Sequence, residues 1–252
     1  MRHILTILGH EVRMLLVSPS TYIAGVLFLS VMGFVFASIL DNFSKSPQET
    51  SPAYVFFNCF FVAIVIVPLL TMKCLAEERR LGTIETLLTS PVNTTEVVLG
   101  KYGAAYLLYL SLWASTAGFF YILYRFAGDT RLLDAGPIIG GYCFIAVSGL
   151  LFVAIGVFAS SLSRNQAVAG LTGFFFLAAL IVGFHYLGEA PFFQNEALHP
   201  LHAAVDSMQV FDHFADFSRG IVDTRQILFY LSGTALTLIF SILSVEAKLL
   251  HS

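Results

Sequence analysis

Residues Cys74 to Tyr102 read "CLAEERRLGTIETLLTSPVNTTEVVLGKY". They separate two runs, Tyr54–Met72 and Gly103–Leu123, that contain no Asp, Glu, Lys or Arg. Each run is long enough, at 1.5 Å per helical residue, to cross a hydrocarbon core about 30 Å thick. The stretch between them is too charged for lipid and carries its own helix signals. Glu77, Glu78, Arg79 and Arg80 prolong the preceding span into water, and Gly82 suits the left-handed stop at a helix C-terminus. Thr83 can cap a short helix whose Ile84, Leu87 and Leu88 share one face at i, i+3, i+4 spacing, and Pro91 cannot continue it. Asn93 followed by Glu96 three residues later is a capping box that starts the next helix. A short water-exposed helix with an apolar face implies a docking partner, and Glu85 on the adjacent face is placed to meet a basic group there.

The rest of the chain follows the same logic. Of 252 residues, 57% are hydrophobic, 25 are Phe and only 12% are charged, so the apolar surface exceeds what one soluble core can hide. Six apolar runs are expected to span a membrane: Thr21–Leu40, Tyr54–Met72, Gly103–Leu123, Pro137–Leu162, Ala167–Leu187 and Ile227–Val245. The fold class is an all-α polytopic membrane protein, one domain over residues 1–252. Cys59, Cys74 and Cys143 are scattered in apolar surroundings and suggest no disulfide framework. The net charge of −3 gives no hint of a nucleic-acid partner.

An even number of spans puts both termini on one side. The segments sharing that side carry eight of the thirteen Lys and Arg and six of the sixteen Asp and Glu. Excess Lys and Arg mark the cytoplasmic face, so both termini and the quoted stretch are expected there.

The first twenty residues are amphipathic, with Ile4, Leu8, Val12 and Leu15 on one helical face and His3, Thr6, His10 and Arg13 on another. They are expected to lie along the cytoplasmic membrane surface until Ser18-Pro19-Ser20 breaks the helix. On the opposite side, residues 188–225 should form one or two short external helices at the outer membrane face. These carry a stripe of Val210, Phe214, Phe217 and Ile221, with Phe211 and Arg219 beside it, and Asp223 and Gln226 read as a capping pair for the last span. His199, His202 and His213 lack the tight spacing of a metal site, so no metal is expected. No Asp, Glu, Lys or Arg falls inside the six runs, which disfavours an ion-coupled carrier. Ser111, Ser115, Thr116, Ser148 and Thr172 can line a pathway, although small polar residues also serve helix packing. Three consecutive Phe, Phe174 to Phe176, suit lipid contact, a gate or an amphipathic cargo alike.

Three segments resemble the permease subunits of ABC-2 type exporters, in particular the group related to gliding-motility and nitrous-oxide-maturation permeases. They are "LTMKCLAEERRLGTIETLLTSPVNTTEVVLGKY", "SSLSRNQAVAG" and "FDHFADFSRGIVDTRQILFYLSG". With the six-span layout, the likeness covers nearly the whole chain. It implies a multi-pass protein of the bacterial inner membrane, paired with a second permease copy or paralogue and with separate ABC ATPase subunits. Thr83 to Thr89 would be the coupling helix and Glu77 to Arg80 its stem. ATP and Mg would be bound on the ATPase, since the chain contains no GxxxxGK[ST] loop of its own. A membrane scaffold whose ATPase drives mechanical or assembly work stays open beside export, as does, more remotely, a secondary transporter.

Overall fold

Each of the six apolar runs forms a helix in the computed structural model, which describes residues 2–45, 51–82, 93–126, 134–188, 205 and 207–249. The helices long and apolar enough to cross a membrane are Pro19–Phe43, Pro52–Leu81, Thr94–Arg125, Ala135–Leu162, Gln166–Gly188 and Thr224–Ala247, here spans one to six. No strand occurs among the described residues. Span ends extend past the apolar runs to their capping residues. Span three starts at the Asn93–Glu96 capping box. Asp134 accepts from the Gly136 amide at 3.1 Å to open span four, and Asn165 from the Ala167 amide at 2.9 Å to open span five. The longer helices correct the expectation of charge-free spans: span two takes in Lys73, Glu77, Glu78, Arg79 and Arg80, and span three Glu96, Lys101 and Arg125, all toward the helix ends.

Spans two and four form the centre, 56% and 67% buried, while the other four are 22% to 28% buried and turn broad faces outward. Span four can be central because its glycines admit neighbours at backbone distance. A Cβ on Gly149 would lie 2.3 Å from the Tyr109 ring, and one on Gly156 would lie 2.3 Å from Thr71 Oγ1. Between spans one, two and three the core is aromatic, with Phe28 edge-on to Trp113 at 5.1 Å and Phe57 stacked on Phe120 at 5.5 Å. Such pairs add about 0.5–1.5 kcal/mol beyond the area they bury.

Span two is segmented. A 3₁₀ stretch, Asn58–Val62, joins the helices Pro52–Phe57 and Ala63–Thr71, the latter containing Pro68. A turn over residues 72–75 then precedes a last helix, Ala76–Leu81, which ends at Gly82 with φ +69° as the sequence predicts. Broken backbone inside a membrane domain must find substitute partners. Ser160 of span four supplies them, accepting from the Leu75 and Ala76 amides at 3.0 and 3.1 Å and donating to the Met72 carbonyl at 3.2 Å. Span five contains a π-helical turn, Ala179–Gly183.

The amphipathic N-terminal helix runs Arg2–Val17 and is separated by Ser18 from span one, where Pro19 takes the first helical position. Its apolar face does not merely rest on lipid; it packs on span three. Ile7 and Leu8 sit over Gly100 and Gly103, where a Cβ would approach their side chains to 2.7 and 2.9 Å. Leu5, Met14, Leu16 and Val17 stay exposed on the other side.

At the far end, the helix Val210–Ser218 is sunk into the bundle rather than lying across it. Phe214 and Phe217 are each 1% exposed, and Phe214 packs against Tyr54, Phe60 and Phe144. Gly140 admits the helix, since a Cβ there would lie 2.0 Å from the Phe217 carbonyl oxygen. Ile221 is not part of the buried stripe: Gly220, at φ +78°, ends the helix first, and Ile221 is exposed.

Candidate functional site

The last helix of span two, Ala76–Leu81, is a stem leading directly into residues 83–92. The expected coupling residues Thr83, Ile84, Glu85, Leu87 and Leu88 lie outside the described residues. Of the stem residues, Glu77, Glu78 and Arg79 are half-buried and Arg80 is exposed.

Both flanks of the stem are tied to other elements. On one flank Lys101 of span three donates to Glu78 Oε1 at 2.8 Å and to Glu11 Oε1 of the surface helix at 2.6 Å. The Lys101 side chain is 5% exposed, and those of Glu11 and Glu78 are 20% and 18% exposed. One ammonium is thus held between two carboxylates in a largely dry setting, joining three elements distant in sequence. A buried ion with both partners in place is tolerated; removing one partner costs about 3–5 kcal/mol, because the remaining charge stays buried uncompensated. On the other flank Arg79 donates to the Ser161 carbonyl at the end of span four, which also accepts from Ser244 Oγ of span six at 3.3 Å. Stem movement therefore strains contacts with the surface helix and with spans three, four and six.

Glu11 and Lys101 were not among the expected site residues, yet both leave a trace in the sequence. Lys101 interrupts the apolar stripe Val97, Val98, Ala104, Ala105 and Leu108, all buried. Glu11 interrupts the stripe Ile4, Ile7, Leu8, Val12 and Leu15. Two opposite charges, each replacing an apolar residue on its helix's inward face, are a signal for a buried pair.

The polar residues proposed for a pathway are not gathered around one space within the chain. Ser111, Ser115, Thr116, Ser148 and Thr172 donate to their own helices, to the carbonyls of Leu108, Leu112, Trp113, Phe144 and Val168 at 2.7, 2.5, 2.6, 2.7 and 2.8 Å. Thr116 and Ser148 are buried, Thr116 also meeting Tyr142 Oη at 2.9 Å; Thr172 is half-buried, and Ser111 and Ser115 are exposed. Ser111 borders a cleft of about 170 Å³ beside Val12, Leu15 and Leu16 of the surface helix.

At the far end His213 Nδ1 lies 3.1 Å from Tyr230 Oη of span six, and Asp216 accepts from Gln226 Nε2 at 2.7 Å. Gln226 thus does not complete the expected capping pair. Asp223 does cap, accepting from the Arg225 amide at 2.9 Å. Arg219, just past the helix, borders an open polar cavity of about 680 Å³ with Ser51, Tyr54 and Asp134, and Phe211 packs on Phe60 and His185. Among the described residues no three His, Cys, Asp or Glu are grouped to hold a metal; His199 and His202 lie outside them.

No curated protein matches the chain. The segmented second span, the stem and the six-helix bundle nonetheless agree with one finding: a family model described as ABC-2 family transporter protein matches residues 5–247. The chain belongs to the ABC-2 transporter family, as a multi-pass membrane permease component of an ABC system.

Proposed function

We propose that this permease is half of an ATP-driven exporter of the bacterial inner membrane. Both termini and the stem face the cytoplasm, a second copy or paralogue completes the membrane unit, and separate ATPase subunits bind ATP and Mg. Residues 83–89 dock on the ATPase, with Ile84, Leu87 and Leu88 as the apolar contact and Glu85 as a charged one. The observation that carries the reading is the two-sided anchoring of the stem: Glu78 through Lys101 to the surface helix, and Arg79 to the shared carbonyl of spans four and six. A push at Gly82 reaches four other helices through these contacts, which is what coupling to a motor requires. The broad outward faces of the peripheral spans suit a second permease, whose apposed surface supplies the other wall of a pathway.

Replacing Leu87 and Leu88 together by Ala removes six methylene- or methyl-sized groups. At up to about 0.8 kcal/mol each, scaling with how fully each group is buried, this is on the order of 2–5 kcal/mol of docking energy. The double variant, and separately Glu85→Lys, should insert normally yet lose co-purifying ATPase and its hydrolysis at least about tenfold. Wild-type co-purification and hydrolysis in the double variant would overturn the coupling role.

A further inference from the structure

A cavity of about 430 Å³ opens between the surface helix and the stem. His10, Glu11, Lys73, Glu77, Glu78 and Lys101 provide its polar wall, and Met14, Val17 and Leu81 stand at its border. The last three are 59%, 78% and 62% exposed, and most of the lining surface is apolar, with the charged groups set into it. The cavity lies where the interfacial helix meets the ends of spans one, two and three, the depth of lipid headgroups.

Charge decides what fits. Two Lys and three Glu give the wall one carboxylate more than it has ammoniums. Lys101 is held by Glu11 and Glu78. Lys73 and Glu77 also face the cavity, are half-buried, and take part in none of the ion pairs among the described residues. They stand four positions apart in the sequence and line the same cavity, offering it one cationic and one anionic contact.

We propose that this cavity binds the headgroup of a zwitterionic phospholipid bearing a primary ammonium, a phosphatidylethanolamine, with its phosphate on Lys73 and its ammonium on Glu77. The exposed apolar border takes the start of the acyl chains. A phosphate beside Lys73 and an ammonium beside Glu77 each pair opposite charges across a hydrogen bond, whereas the glycerol headgroup of phosphatidylglycerol brings Glu77 no cation. A phosphoserine headgroup would bring its carboxylate against Glu11, Glu77 and Glu78. Choline has no N–H to donate and is usually recognised by aromatic rings; among the described residues no Phe, Tyr or Trp lines this cavity. The site does not depend on the ATPase reading.

The test is native mass spectrometry of the protein, extracted mildly from nanodiscs holding equal parts of phosphatidylethanolamine, phosphatidylcholine and phosphatidylglycerol of matched chains. The wild type should retain phosphatidylethanolamine preferentially. Lys73→Met and Glu77→Gln should each lower that retention roughly tenfold, the loss of one charge-assisted contact. Soluble glycerophosphoethanolamine at equal concentration should not displace the lipid. Equal retention of all three lipids by the wild type, or preference for phosphatidylglycerol, would overturn the proposal. So would displacement by the soluble headgroup, or unchanged retention in both variants. The comparison among lipids uses the unmodified protein and stands even if a variant fails to fold.

Discussion

Lys101 has the sharpest consequences of any single residue. Its ammonium bonds to both Glu11 and Glu78. Lys101→Met should therefore cost about 3–5 kcal/mol, seen as a lowered thermal midpoint in nanodiscs. The triple change Lys101→Met, Glu11→Gln, Glu78→Gln should recover most of it, because no uncompensated charge is left buried. A Lys101→Met protein as stable as the wild type would show that the three groups are hydrated and weakly coupled. This residue also marks what sequence reading missed. Along the sequence both count as charges outside the apolar runs, Glu11 in the surface helix and Lys101 just before the third run. Only their positions within apolar stripes hinted at burial, and nothing along the chain paired position 11 with positions 78 and 101. Glycines 100 and 103 do that in space, bringing the surface helix close enough for the carboxylate to reach.

Among the elements, the helix Val210–Ser218 departs most from its expected setting. Its stripe of Val210, Phe214 and Phe217 is apolar as predicted, but it faces aromatic rings of spans two and four instead of the membrane surface. His213 on the same helix is 5% exposed and paired with Tyr230. Burial holds its pKa below the usual 6.5, outweighing the opposing pull of Asp212, Asp216 and Asp223 and of a backbone bond at Ser207. A depressed folded-state pKa means that folding favours the neutral ring. Its stability is therefore intact above about pH 6.5 and declines as pH falls from there through the lowered value. Hydrogen exchange of residues 210–218 should accelerate between pH 7 and pH 5, and His213→Gln, which keeps a hydrogen-bonding group without titrating, should flatten that change after correction for intrinsic exchange. The same acceleration in the Gln variant would assign the effect to other groups. Gln226 teaches a related lesson: its spacing from Asp223 suits a cap, yet Asp216 from the preceding helix claims it. Local spacing identifies a capable residue, and tertiary proximity selects its partner.

For the molecule as a whole, the asymmetry of Lys and Arg predicts its orientation. In a background with Cys59, Cys74 and Cys143 replaced by Ala, Thr95→Cys should react with an impermeant maleimide only from the cytoplasmic side, and Ile221→Cys only from outside. The reverse pattern would invert the topology and remove the stem from any cytoplasmic ATPase. Span number, span positions, the Gly82 stop, the Asn93 capping box and the break at Ser18-Pro19 were all legible in the sequence alone. Each depends on interactions within a few residues or on the partition of a contiguous apolar run into lipid, and both are local quantities. The central placement of spans two and four, the burial of the far-end helix and the Glu11–Lys101–Glu78 cluster were decided only by the tertiary structure. They depend on which glycine faces which ring or helix, and on which charges share a low-dielectric space. Those contacts join residues tens of positions apart and follow from packing, which linear spacing does not encode.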